Sequence, residues 1–95
     1  MTFYTYVLYS SKFDMFYYGQ TSDLQARLIK HNLGLVKSTV RYLPWQICAY
    51  KEFIDRNGAF VCEKKLKNCK SRNRVQSFIA KNDFITCLKV IGTEN

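Results

Sequence analysis

Arg27 and His31 stand four residues apart, and shortly before them runs Tyr17-Tyr18-Gly19. On a helix, that spacing points both side chains the same way. A permanently charged guanidinium and a titratable imidazole then share one face, beside a strand that presents tyrosines. Such a set suits a reaction on phosphate better than it suits packing. Further on, Glu63 falls among the inward positions of a later helix, flanked by Cys62 and Leu66. A carboxylate in an apolar stripe is costly unless something positive satisfies it.

These groups need elements to hold them. Residues 3–10, rich in aromatic and β-branched types, read as a strand with Tyr4, Tyr6 and Leu8 on one face and Thr5, Val7 and Tyr9 on the other. After a short connection at 11–14, a second strand is expected from about Met15 to Gln20, paired with the first as a hairpin. Gly19 lies at the handover to a helix, where a missing side chain admits backbone or ligand. Ser22 with Gln25 forms a capping box for a helix over about 23–33, which Gly34 ends. Leu24, Arg27, Leu28 and His31 follow one stripe, so Arg27 and His31 border the buried side.

A loop over 35–43 carries Lys37, Ser38, Thr39 and Arg41 and closes at Pro44. A third strand is expected over 45–53, a turn at 55–58, and a second helix over 59–67 with Ala59, Cys62 and Leu66 inward. Ser71 can cap a third helix whose inner face holds Val75, Phe78, Ile79 and Asn82. A strand-like segment over 84–91 has no partner that the sequence identifies.

Fifteen Lys and Arg against seven Asp and Glu leave a formal charge of +8, which makes a polyanion the natural partner. The chain is 47% hydrophobic, so this is a folded protein and not a basic tail. Ninety-five residues make one domain, with a core over about 3–80 and an extension over 81–95. Cys48, Cys62, Cys69 and Cys87 form no C-x-x-C pair, and with a lone His they argue for reduced thiols and against a zinc site. Without a recognisable signal peptide or a long apolar run, the expectation is an intracellular, cytoplasmic protein with no membrane partner.

The pattern resembles the GIY-YIG nuclease family, specifically its small standalone members. Tyr4-Thr5-Tyr6 matches the first motif and Tyr17-Tyr18-Gly19 the second, with ten residues between Tyr6 and Tyr17. The most specific part is Gly19-x-Thr21-x-Asp23-Leu24-x-x-Arg27-x-x-x-His31-Asn32. Lys37-Ser38-Thr39, Pro44-Trp45 and Glu63-Lys64-x-Leu66-Lys67 also fall where small members carry similar runs. Tyr4-Thr5 stands in place of Gly-Ile, and Tyr18 in place of the second motif's isoleucine. The resemblance implies an α+β fold: a small three-stranded antiparallel sheet flanked by about three helices, with an optional C-terminal strand.

It also implies a divalent-metal-dependent endonuclease that hydrolyses DNA phosphodiesters at one Mg²⁺ or Mn²⁺ ion. Carried over residue by residue, Glu63 is the metal ligand and Arg27 the phosphate clamp. Tyr6 or His31 activates water, and Tyr17 orients phosphate or metal-bound water. The family's later polar residue maps to Asn73, with Asn68 as second candidate. Gly19 is expected against substrate. Lys30, Lys37, Arg41, Lys64, Lys67, Lys70, Arg72 and Arg74 are expected to contact backbone phosphates, giving salt-dependent affinity with little sequence choice. Competing readings are a non-catalytic DNA- or RNA-binding module of the same fold and a catalytic subunit targeted by a protein partner.

Overall fold

The computed structural model describes residues 1–88. Strand β1 (Phe3–Ser10) pairs antiparallel with β2 (Met15–Thr21) on one side and with β3 (Gln46–Phe53) on the other. Helix α1 (Leu24–Asn32) follows β2, and α2 (Arg56–Lys67) and α3 (Arg72–Lys81) follow β3. A two-residue strand β4 (Ile85–Thr86) pairs antiparallel with β3, giving a four-stranded sheet in the order β2-β1-β3-β4. The α+β class and antiparallel sheet agree with expectation, and the optional C-terminal strand is present as this short pairing. The end of the segment expected to be strand-like, 89–91, lies outside the described residues.

Alternation along β1 assigns its side chains to two layers. Val7 meets Cys48, Ala49, Leu66, Val75 and Ile79 on the face covered by α2 and α3. Tyr6 and Leu8 join Trp45 on the opposite face, packed by Tyr17 and by Leu24 and Leu28 of α1. Burying a side chain such as Leu66, which is fully enclosed, contributes about 2 kcal/mol. The register shift between Val7 and Leu8 leaves Cys48 unpaired with β1, and both Cys48 and Ala49 then pack into the same layer.

Helix boundaries correct the sequence reading in two places. The N-cap of α1 is Asp23, not Ser22: its Oδ1 accepts from the Ala26 amide at 3.0 Å, while Thr21 Oγ1 accepts from the Asp23 amide at 3.1 Å. A carboxylate one residue closer to the helix satisfies the free amides and complements the helix dipole, so it displaces the serine. Helix α2 starts at Arg56, because Asp55 Oδ1 accepts from the Gly58 amide at 2.7 Å; the expected turn at 55–58 is its first turn. Ser71 caps α3 as expected. Gly34 ends α1 in the left-handed region at φ 77°, with its amide on His31 O at 3.0 Å and the Leu35 amide on Lys30 O at 3.1 Å.

Candidate functional site

Strand register builds the centre of the site. Tyr6 lies directly opposite Gly19 in the β1–β2 ladder. A Cβ on Gly19 would meet the Tyr6 Oη at 2.5 Å and its Cζ at 2.6 Å. The end of the phenol therefore occupies the space a side chain at Gly19 would need, and only the lack of one allows it. Gly19, the glycine expected against substrate, is buried and faces the Tyr6 phenol.

Laid across β2, the Tyr6 hydroxyl reaches α1. It sits 3.0 Å from His31 Nε2 and accepts a hydrogen bond from Arg27 Nε at 3.3 Å. Tyr17, two residues before Gly19, packs its ring edge-on to His31 at 5.2 Å between centroids. The i, i+4 spacing of Arg27 and His31 thus delivers both groups to one phenol oxygen, as the helix geometry requires.

Burial orders these groups. His31 is 0% exposed and Tyr6 2%, whereas Arg27 is half-buried. Desolvation, and then the nearby Arg27 charge, hold the His31 pKa down at about 4, so the imidazole is neutral near pH 7. Burial pushes the Tyr6 phenol above its ordinary value, partly offset by the Arg27 hydrogen bond. Arg27 is raised, first by its bond to Tyr6, with Tyr17 among smaller contributions. The resting centre is a neutral phenol and a neutral imidazole beside one fixed positive charge.

Glu63 extends from α2 and lies near enough to Tyr6 for its charge to act on that phenol. Its side chain is 13% exposed, and Oε2 forms an ion pair at 2.8 Å with Lys67 Nζ, one helical turn on. The positive charge that satisfies this inward carboxylate is therefore Lys67. Among the described residues no three His, Cys, Asp or Glu side chains cluster as a metal cage. A single hard oxygen ligand fits a Mg²⁺- or Mn²⁺-class ion that keeps most of its waters, and it does not fit zinc or a tight calcium cage. Binding at Oε2 requires Lys67 to move aside.

The other candidates divide. Lys30 lies in the last turn of α1, and Lys37 and Arg41 in the loop after it, all exposed. Lys64 is exposed and lies over the Phe60 ring at 5.4 Å. Lys70 and Arg74 are exposed around the α2–α3 connection. Arg72 is held by Asp14 at 3.1 Å and stacks on Phe16 at 4.7 Å, which ties α3 to the β1–β2 turn. Asn73 is exposed in the first turn of α3, about half a turn from the direction of buried Val75, and no hydrogen bond joins it to the Tyr6 centre among the described residues.

Three residues without an assigned role prove integral to the centre. Thr39 is fully buried, and its Oγ1 is 2.8 Å from His31 Nδ1. Trp45 donates from Nε1 to Thr39 O at 3.0 Å. Asn32 grips the Trp45 backbone twice, accepting from its amide at 2.7 Å and donating to its carbonyl at 3.0 Å. A signal for Thr39 existed: a buried imidazole needs partners for both nitrogens, and a short polar side chain in the following loop can supply one.

No helix among the described residues is long and apolar enough to cross a membrane. The GIY-YIG catalytic domain model matches residues 2–76, most of the chain. The UPF0213 protein YsiG of Lactococcus lactis is 38% identical over 84 residues, covering 87% of this chain and 79% of its own length. A UPF0213 protein of Lacticaseibacillus paracasei is 34% identical over 79 residues, covering 82% and 86% respectively. The solution NMR structure of the UPF0213 protein BH0048 from Bacillus halodurans superposes with a TM-score of 0.52 at 28% identity, covering 86% of each chain. A family match across the residues that assemble the centre, joined by relatives of similar size, gives one conclusion: the chain belongs to the GIY-YIG catalytic domain family.

Proposed function

We propose that this protein is a divalent-metal-dependent endonuclease that hydrolyses phosphodiester bonds in DNA, with Tyr6 at the reacting centre. One observation carries the proposal: a single phenol oxygen held between Arg27 Nε and His31 Nε2. That pairing joins a phosphate-binding cation to an internal proton acceptor through one atom. A bare structural tyrosine needs only one partner.

His31 has no exposed surface, and the group in hydrogen-bond contact with its Nε2 is the Tyr6 hydroxyl, on a side chain 2% exposed. The acceptor roles therefore fall in series, with Tyr6 touching the nucleophile and His31 behind it. Attack forms the new bond from water oxygen to phosphorus and breaks the bond to one ester oxygen, which departs as an alcohol after taking a proton from solvent. The water proton passes to the Tyr6 oxygen as the Tyr6 proton passes to His31 Nε2. Burial is the larger cause of the low His31 pKa and the Arg27 charge the smaller; a phosphodiester anion against Arg27 offsets the second, which makes the imidazole a better acceptor once substrate is bound. Arg27 and Tyr17 hold the phosphate, and Arg27 stabilises the negative charge that builds in the transition state. Glu63 would hold one Mg²⁺ or Mn²⁺, whose chemistry is to polarise the phosphate and favour ionisation of water. The exposed Lys30, Lys37, Arg41 and Lys70 supply sequence-independent attraction to the backbone.

The Lys67–Glu63 ion pair favours a second reading, because a carboxylate already neutralised by an ammonium needs no metal. In that case the protein binds nucleic acid without turnover. Incubating purified protein with supercoiled plasmid and Mg²⁺ or Mn²⁺ separates the two. Nicking that disappears with chelator, in Glu63→Ala and in Tyr6→Phe supports the nuclease. Salt-sensitive binding without cleavage in either metal, across duplex, branched and single-stranded DNA, rejects it in favour of the binding module.

A further inference from the structure

Proton counting around His31 goes further. Arg27 Nε can only donate, so the Tyr6 oxygen accepts from it. The proton on Tyr6 must then point elsewhere, in a pocket where the side chain is 2% exposed. His31 Nε2, at 3.0 Å, is its partner, and that nitrogen must carry a lone pair. A neutral imidazole with a bare Nε2 has its hydrogen on Nδ1, facing Thr39 Oγ1 at 2.8 Å. Thr39 is placed to accept it, because its own hydroxyl proton points to Val36 O at 3.3 Å. Val36 O also takes the amides of Thr39 and Val40, so the Arg27 end of the chain constrains the protons more strongly.

We infer that Thr39 is a positioning residue that fixes His31 as the Nδ1–H tautomer and so keeps Nε2 open to the Tyr6 proton. The functional consequence rests on the proposed hydrolysis; the tautomer itself does not. Thr39 acts at one remove from the reacting atoms, through His31 and Tyr6.

The support for Thr39 is a closed circuit. Helix α1 presents His31 and, next to it, Asn32. Asn32 clamps the Trp45 backbone, the Trp45 indole donates to Thr39 O, and Thr39 Oγ1 returns to His31. Residues 33–44 are thereby drawn into a loop whose buried polar member is Thr39, fully enclosed beside an equally enclosed imidazole. The circuit sets the position of one hydroxyl against one ring nitrogen. Valine has the threonine shape without the acceptor, so it leaves a buried N–H without a partner on the Nδ1 side. The imidazole then answers by moving its hydrogen to Nε2, where it opposes the Tyr6 proton.

His31 is the sole histidine of the chain, which makes the test direct. Long-range ¹H–¹⁵N correlation spectra of uniformly labelled protein at pH 7 give two nitrogen shifts from one imidazole. The expected result is a protonated Nδ1 and an unprotonated Nε2 in wild type and in Thr39→Ser. Thr39→Val is expected to exchange the two assignments or to average them. Tyr6→Phe, which leaves the Thr39 contact in place, is expected to keep Nδ1 protonated, and it tests the same point if Thr39→Val does not fold. A wild type protonated at Nε2 overturns the inference, as does a folded Thr39→Val that keeps Nδ1 protonated. Loss of the Nδ1–H form in Tyr6→Phe also overturns it, because Tyr6 would then set the tautomer. In plasmid nicking, Thr39→Val is expected to lower kcat by about 10²-fold with KM for DNA held within about twofold, and Thr39→Ser to restore it. A wild type that never nicks DNA rejects the nuclease while leaving the tautomer result standing.

Discussion

Replacing Gly19 by alanine probes the geometry on which the centre depends. The added Cβ would stand 2.5 Å from Tyr6 Oη, 2.6 Å from Cζ and 3.1 Å from Cε2, against an ordinary carbon contact of about 3.5–4.0 Å. The phenol must therefore shift by about 1 Å, and β1 cannot yield because it is bonded on both sides. Rotation of the ring away from Gly19 takes Oη off His31 and Arg27, whose bonds are 3.0 and 3.3 Å. Overpacking of this kind costs about 1–3 kcal/mol, and each weakened hydrogen bond adds about 1 kcal/mol. A total near 3 kcal/mol corresponds to a fall in Tm of about 10 °C or more for a domain of this size. Nicking should fall by about 10²-fold, because displacements near 1 Å have that effect on an oriented reaction. Thermal denaturation followed by circular dichroism and a plasmid assay read the two quantities. A double-mutant cycle with Tyr6→Ala should show strong coupling, since removal of the ring removes the clash. A Gly19→Ala protein with wild-type Tm and nicking within twofold of wild type would refute the wedge between Tyr6 and Gly19.

Stability should fall as pH drops from about 6.5 through about 4, because the unfolded chain binds a proton at His31 more readily than the native state does; the depressed pKa sets a ceiling of about 3 kcal/mol, read from urea midpoints at pH 7 and pH 4. Asn32→Ala removes both bonds to the Trp45 backbone and should destabilise the fold by about 1–3 kcal/mol, with a red shift in the fluorescence of the lone tryptophan; an unchanged spectrum and midpoint would discard the clamp. Lys67→Met removes the ammonium from Glu63 and should tighten Mn²⁺ binding measured by water-proton relaxation, while Glu63→Ala should abolish it. Equal Mn²⁺ affinity in wild type and Lys67→Met would count against competition at that carboxylate.

Much of the frame was legible because its signals are local. Alternation of Tyr6 and Val7 assigned the two layers, Gly34 marked the end of α1, and the Arg27–His31 spacing placed two polar groups on one side of a helix. Ser22 and Asp23 are both competent caps for α1, and backbone geometry chooses Asp23, one residue on from the serine of the capping box. Helix α2 starts earlier than its composition suggests for a similar reason: Asp55, Asn57 and Gly58 look like a turn, yet the aspartate satisfies an amide of the first helical turn. What the sequence did not express were the partnerships between particular side chains. Nothing in the one-dimensional pattern says that Gly19 faces Tyr6, since that depends on hairpin register. The partner of Glu63 was a local i, i+4 lysine, hidden among other lysines of the same helix. Thr39 was visible in its motif but silent in role, because its importance lies in a hydrogen bond to a ring nitrogen eight residues away.

The strand order β2-β1-β3-β4 puts Tyr6 on a strand whose backbone is paired along both edges. Helix α1, nine residues long, is held mainly by its apolar contacts and by the loop that follows it. Amide exchange should rank these parts in two tiers, with the β1 amides protected to global unfolding and those of α1 released by a smaller, local opening. Such an opening withdraws Arg27 and His31 together while the sheet, and the tyrosine on it, remain native. In that locally opened form the fold would persist with the Tyr6 phenol in place and neither of its α1 partners beside it, which faster exchange of the α1 amides than of the β1 amides would reveal.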